Sequence, residues 1–579
     1  HHQILNTAVE TGGSNVPFIG GWAYSAGGTA NPEFLKYITV GNGGFGYTPL
    51  VAADYAVNTA VGTWTSGQNI KLSASAALGA GVTTIQSLNL QSATAFTLSG
   101  AAGSSLVIGS GGILTSLGTH TISIPTITAG AGSSYELYDI AWATNVISSV
   151  ITDNGGNSVS LVKNGGGTTS FFGANTYTGT TYLNEGMFRD VIGSLTTALG
   201  SGNFNMSGGP NTQSAYETDR DFTRALGAGV GEVQITGGGG AGGGSTGFSA
   251  YGAPINVNFG GTGDTVVWGS TYFNPGILTL NGGNATHVVT LVNDLDLGGE
   301  QRYIRLDGNS SAGNRAVIGV IAGDVFNGGV VKRGGGVLMF DNAKSYEGAT
   351  ILQEGELWLR GDGTAGANVM GNDILINQGS RLKLDGPANV GSNQMIALQN
   401  GDDLTPAAIA FGAGYGTGSE ITFSSLTLSG GIVQTGPYSV VIANQQADDN
   451  RRNRVAVQIS GNNDFQADLP GLIKAVAPDV QVWFGADTGN GTYTGTTLST
   501  TGRNKTGSVE AFRLGSGGGT LTIANANVLN GNFPLFIGAE DQTFRTNIGG
   551  VVYIPEAQNY SGSVTIGNSG ILHVGSNGA

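Results

Sequence analysis

Two oxygen-rich clusters, Asp402-Asp403 and Asp448-Asp449-Asn450, are the residues whose type and spacing come nearest to a chemical site. Carboxylates gathered this way suit a hard cation, so Asp402, Asp403, Asp448 and Asp449 are candidate calcium ligands. Calcium is the one cofactor the sequence leaves open. Gly260-Gly261-Thr262-Gly263-Asp264 approaches the calcium-binding nonapeptide, but Asp264 falls one position early and the unit does not repeat. Arg381-Leu382-Lys383 has the Arg-x-Lys of polysaccharide-cleaving enzymes, yet it precedes Asp402-Asp403 and no Gly-His-Gly accompanies it. Alternation with Leu382 and Leu384 places Arg381 and Lys383 on the solvent face of one strand. The five histidines (His1, His2, His120, His287, His573) lie far apart and offer no paired base or metal cluster. Gly243-Gly244-Ser245-Thr246-Gly247 spells a serine-hydrolase elbow inside a glycine run, without the strand before it or helix after it that an elbow needs. No catalytic residue is expected.

Composition agrees with a structural role. Among 579 residues there are 103 glycines, while only 11% are charged and 39% are hydrophobic, so the chain can bury a large core. Glycine has no three-residue period and there are only 14 prolines, which excludes collagen. With no cysteine, disulfide scaffolds, thiolate metal sites and thiol catalysis are excluded. A net charge of −15 lacks the basic footprint that nucleic acid demands. No run of 18 apolar residues occurs, so no membrane insertion of this chain is expected.

The elements that must carry these residues are short strands. Apolar runs such as Leu88–Leu90, Phe96–Leu98, Leu106–Ile108 and Gly112–Leu114 recur every six to ten residues between Gly, Ser, Asn and Thr, and almost nothing reads as helix. Internal repetition turns this pattern into a solenoid. Residues 161–188, LVKNGGGTTSFFGANTYTGTTYLNEGMF, align without a gap with residues 330–357, VVKRGGGVLMFDNAKSYEGATILQEGEL. Lys163, Gly165, Gly167, Tyr177, Gly179 and Gly186 match Lys332, Gly334, Gly336, Tyr346, Gly348 and Gly355. A weaker copy contains Tyr560 and Gly562, and a fragment runs from Gly491 to Thr497. Recurrence of Tyr177 and Tyr346 at one repeat position points to packing between coils rather than to sugar stacking. Strands that turn corners at Gly and Asn and stack rung on rung about 4.8 Å apart give an all-β, right-handed parallel β-helix (β-solenoid) of about 25 coils, roughly 20–25 residues each, on the order of 120 Å long. The charge-dense runs Glu217–Asp221 and Asp448–Arg454 read as protruding loops with internal ion pairs, or as contacts to a neighbouring rod, and Gly237–Gly244 as an external loop.

At these repeats the chain resembles the autotransporter-associated beta-strand repeat, whose pattern runs L-x-K-x-G-x-G-T-L-x-L-x-G-x-N-T-Y-x-G-x-T-x-V-x-x-G-x-L. Residues 161–188 match it closely; residues 330–357 match with Asp341–Tyr346 in place of the usual polar run. Gly20-Gly21-Trp22-Ala23 and Ala53-Asp54-Tyr55 resemble the lead-in of large planctomycete and verrucomicrobial extracellular members. The resemblance implies a secreted, cell-surface passenger and carries over no catalytic residues, because the motif is structural. An autotransporter ends in a membrane barrel, whereas this chain ends His573-Val574-Gly575-Ser576-Asn577-Gly578-Ala579. The resemblance therefore implies a removed barrel or another export route.

The expected organisation is a lead-in over 1–50 and solenoid modules over 51–190, 191–360 and 361–579, the last with a truncated repeat. The expected function is a non-enzymatic extracellular structural β-solenoid, a module of a surface fibre, sheath or adhesin that self-associates head-to-tail into filaments or joins other surface proteins. A polysaccharide-binding or polysaccharide-degrading β-helix is the alternative, with a glycan as partner.

Overall fold

The computed structural model describes residues 10–11, 17–18, 20–25, 32–40, 44–57, 61–191, 198–209, 212–237, 244–261, 264–307, 318–341, 344–360, 373–377, 379–386, 394–399, 406–412, 423–425, 438–443, 454–461, 464–478, 480–487, 489–502, 510–538 and 549–575. Two compact units result. The first holds His1–Thr262, Trp268–Thr279 and Asn284–His287; the second holds Gly263–Val267, Leu280–Gly283 and Val288–Ala579.

In the first unit, short strands separated by glycine and asparagine corners stack in parallel. Leu88, Ile113, Asp139, Lys163, Leu183, Met206 and Ile235 pair in succession, one residue per coil, at intervals from 20 residues (Lys163 to Leu183) to 29 (Met206 to Ile235). A second row runs Leu98, Ile122, Ile147, Phe171, Asp190, Thr218 and Ala250. Early coils add a third side, from Gly81–Ile85 through Ser104–Ile108 and Thr126–Ala129 to Val150–Ile151. Each sheet grows by one rung per coil, as a parallel β-solenoid requires and a closed barrel does not. Inward Leu, Ile, Val and Phe are almost wholly buried, each contributing about 1.5–3 kcal/mol. Between Phe171 and Phe273 the core thickens into a run of aromatic rings whose neighbouring centroids lie 4.2–6.4 Å apart.

An antiparallel ribbon, Leu35–Val40 with Gly44–Pro49, precedes the coils. Phe34, Leu50 and Tyr55 pack onto Leu114, Tyr138, Ile140 and Val162, which point away from the solenoid core. Glu33 anchors this lead-in: it pairs with Lys71 and accepts hydrogen bonds from Tyr55 Oη at 2.7 Å and Asn89 Nδ2 at 2.8 Å.

The second unit repeats the architecture. Leu357, Leu382, Ile409, Val457, Phe484, Leu514, Ile537 and Ile566 form one row; Ile304, Lys332, Leu352, Ile376 and Leu398 form another. Among the described residues the α-helix is Leu469–Val476, started by Asp468, whose carboxylate accepts the Gly471 N–H at 3.0 Å. Among the described residues no helix is long and apolar enough to cross a membrane.

Candidate functional site

The repeat motif builds a corner around a buried lysine. Lys163 stands within an inward row, between Asp139 and Leu183, and its ammonium donates to the carbonyls of Asn164 (2.8 Å), Gly165 (3.0 Å) and Glu185 (3.3 Å). Lys332 does the same with Arg333 (2.9 Å), Gly334 and Glu354 (3.0 Å). One cation therefore ties the corner of its own coil to the corner of the next, satisfying carbonyls that a bend would otherwise orphan. Burial pushes the pKa down to about 8 for Lys163, against Asp139 and Glu185, and to about 7 for Lys332, against Glu354, Glu356 and Asp307. The motif glycines make room for the ammonium. Gly186 and Gly355 stand at φ +77° and +73°, and a Cβ there would lie 3.0 and 2.7 Å from the lysine nitrogens.

The motif tyrosines are wholly buried, their hydroxyls turned to Thr181 (2.6 Å) and Thr350 in their own turns. The ring of Tyr177 is covered by Gly200 of the following coil, so the contact between coils is tyrosine on glycine, not ring on ring. Tyr493, in the fragment from Gly491, is likewise buried, but its hydroxyl donates to the backbone carbonyl of Thr497. The weaker C-terminal copy keeps Tyr560 Oη on the Ser563 carbonyl at 2.5 Å, and Gly562 sits against the Phe533 carbonyl.

Asp139, beside Lys163 in the core row, is a residue the motif does not announce. Asn145 donates to its Oδ1 at 3.2 Å, while Oδ2 is buried without a hydrogen bond. Burial raises its pKa, only partly offset by Lys163.

Arg381 corrects the solvent-face expectation. It is 1% exposed and bonds Glu356 at 2.9 Å, Gln458 at 2.8 Å and Asp487. Its strand neighbours on that face are Ala408 and then Ala456, whose small side chains let the guanidinium lie across two rungs. Burial opposes the charge, but Asp487 and Glu356 outweigh it and raise the Arg381 pKa. Lys383 joins through Asp487 at 3.0 Å and lies 4.1 Å above the Trp358 ring. Alternation alone could not reveal this, since two distant carboxylates supply the partners. The run Glu217–Asp221 is also corrected. Glu217 lies buried in the strand Gln213–Thr218 and pairs at 2.9 Å with Arg189 of the preceding coil, and Arg220 reaches back to Asp190. The internal pair of that run, Arg220 with Asp219, is longer at 3.5 Å.

A groove of about 690 Å³ in the second unit is lined by Asp296, Glu300, Glu347, Gln301 and Asn327 over a glycine floor. Glu300 is engaged by Arg302 at 3.1 Å. Among the described residues no group of three or more His, Cys, Asp or Glu is gathered as a metal site. The calcium candidates Asp402, Asp403, Asp448 and Asp449 lie outside the described residues, as do most of the Asp448–Arg454 run and residues 238–243. Ser245 opens a buried strand and bonds Thr279, so it presents no elbow.

Stacked corners tied by buried lysines define a repeat solenoid. Comparison with known proteins agrees: the passenger-associated-transport-repeat family matches residues 161–188 and 330–359. The chain is also similar to the adhesin BmaC autotransporter of Brucella suis biovar 1 (strain 1330), at 26% identity over 384 residues. That alignment covers 56% of this chain and only 11% of the relative, so the chain spans a small part of the length of that protein. No solved structure matches. Together these findings support an autotransporter passenger-type repeat protein, secreted and displayed at the cell surface.

Proposed function

We propose that the chain is a non-enzymatic length of extracellular adhesive stalk, a β-solenoid meant to be continued rung by rung. The observation that carries this is the rung-by-rung pairing of parallel strands, each coil burying the apolar row of the one before, as Leu535, Ile537 and Ile554 are 2%, 0% and 5% exposed beneath Val564, Ile566 and Val574. A solenoid rung offers its strand edges and apolar row to the next rung, and rungs contributed by separate copies would give a head-to-tail filament. The similarity to an adhesin supports the adhesive part of the reading, and the structural character of the repeat supports the absence of catalysis.

Electron microscopy and sedimentation of the concentrated chain test the assembly. Filaments one rod wide, lost in a Val564→Lys/Ile566→Lys variant, are expected. Single rods at every concentration, with and without calcium, would remove self-assembly and leave adhesion to be tested by cell binding.

A further inference from the structure

We infer that the corner of the first unit around Trp142 is a binding site for a neutral glycan ring; this rests on the adhesive reading and names the ligand class. Trp142 follows the strand Glu136–Ala141 and is 39% exposed, although its large apolar face would favour burial. It is braced from one side by Tyr24, edge to face at 6.1 Å and 68°. Tyr24, Trp22 and Tyr182 are themselves partly buried against the lead-in cluster, so the platform is rigid. Among the described residues the indole N–H has no hydrogen-bond partner.

The rungs that follow leave a slot. Gly165 and Gly167 stack on Ala141 and Ala143, and Gly186 stacks on Gly165 and Gly167, so Trp142, Gly166 and Glu185 occupy three successive rungs of one corner. A side chain at Gly166 would meet nothing nearer than Glu185 Oε1, at 3.9 Å. The backbones of Trp142 and Glu185 stand two rungs apart, roughly 10 Å, and Tyr24, near enough to Glu185 to sense its charge, walls the gap on one side. An amide ladder borders it, with Asn184 donating to Asn164 at 3.1 Å and Ser207 donating to Asn184 at 3.0 Å. An aromatic face takes the C–H side of a pyranose, while carboxylate, indole N–H and carboxamides take hydroxyls.

Charge selects among sugars. Behind Glu185 the buried Lys163 faces both Asp139 and Glu185, so the corner carries no surplus of positive charge, and the chain carries −15 overall. Neutral sugars are accepted and uronates are repelled. The second repeat supplies an internal contrast. There Gly334 stacks on Leu306, so Asp307 stands in the place of Trp142, and Glu354 turns inward to accept the Gly334 N–H at 2.9 Å.

The experiment is calorimetric titration of the whole chain with chitotetraose, cellotetraose and tetragalacturonate, supported by a panel of neutral glycans. One site for a neutral oligosaccharide is expected, with a shift in tryptophan fluorescence. Trp142→Ala should weaken it at least about tenfold, as for a central aromatic anchor. Glu185→Gln should weaken it about threefold, and Phe172→Ala, exposed elsewhere on this unit, should leave it unchanged. No binding by any neutral glycan, equal binding by Trp142→Ala, or equally tight binding of tetragalacturonate would overturn the assignment. Cell adhesion equal in wild type and Trp142→Ala would sink the glycan site alone; no adhesion by the wild-type chain would sink the adhesive reading.

Discussion

Replacing Gly355 with alanine isolates what the repeat corner demands. At φ +73° any L-residue pays about 1–2 kcal/mol for the left-handed conformation. Gly518 provides the reference in the same unit, because its φ is +85° and an added Cβ there would meet nothing within 4 Å. At Gly355 the Cβ would instead lie 2.4 Å from the Gly334 carbonyl, 2.5 Å from that of Gly336 and 2.7 Å from Lys332 Nζ. An ordinary carbon–oxygen contact needs about 3.3 Å, so both carbonyls must retreat by roughly 0.8–0.9 Å. The Gly336 carbonyl holds the Glu356 N–H at 3.2 Å, and the Gly334 carbonyl holds the lysine. Overpacking costs about 1–3 kcal/mol, and orphaning a buried carbonyl about 1–3 kcal/mol more. Gly355→Ala should therefore destabilise by about 3–8 kcal/mol, against about 1–2 kcal/mol for Gly518→Ala. Two compact units need not unfold in one step, so native-state hydrogen exchange at the amides of 334, 336 and 356 is the appropriate measurement, with urea unfolding in parallel. Gly186→Ala should behave likewise in the first unit, where the same carbonyl distances are 2.2 and 2.4 Å. If Gly355→Ala and Gly518→Ala agree within about 0.5 kcal/mol, the close approach is irrelevant and only backbone handedness matters.

Three further substitutions probe the charged groups. Asp139 has a raised pKa, so its protonated form stabilises the first unit fully below the ordinary 3.8 and that contribution is lost as pH rises through the folded value. Each pH unit in that window costs about 1.4 kcal/mol. Asp139→Asn should raise the neutral-pH Tm and flatten the decline in stability as pH rises above the ordinary 3.8; an unchanged slope would show that the carboxyl is not the titrating group. Arg381→Met would leave Glu356 and Asp487 buried without their partner and should cost about 3–5 kcal/mol, whereas Lys383→Met, at the partly exposed edge, should cost about 1 kcal/mol or less. Thermal unfolding resolves the two, and equal losses would refute the buried network.

The repeat was legible because it is local. Lys163 and Lys332, the glycine at each bend and the tyrosine of each turn recur at fixed spacing, and each makes its bonds within one coil or to the next coil about 20 residues on. Short strands divided by glycine corners, twice copied, were enough to define a solenoid. Arg381 shows where such reasoning ends. Its alternation with leucine marks two faces, but the second face is buried, because alanines on two later rungs open a channel to Asp487, 106 residues away. Glu217 repeats the lesson with Arg189, 28 residues earlier.

The sequence by itself thus determined the architecture, since a solenoid coil satisfies its backbone with the neighbouring rung and needs little more than periodic apolar residues and corners that permit sharp turns. Only the tertiary structure decided which charges are inside and which tryptophan stays out. Those properties depend on what is laid over each face by distant chain, as the lead-in covers Leu114, Tyr138, Ile140 and Val162 but leaves Trp142 partly bare. Burial of a charge depends on partners that no periodicity records.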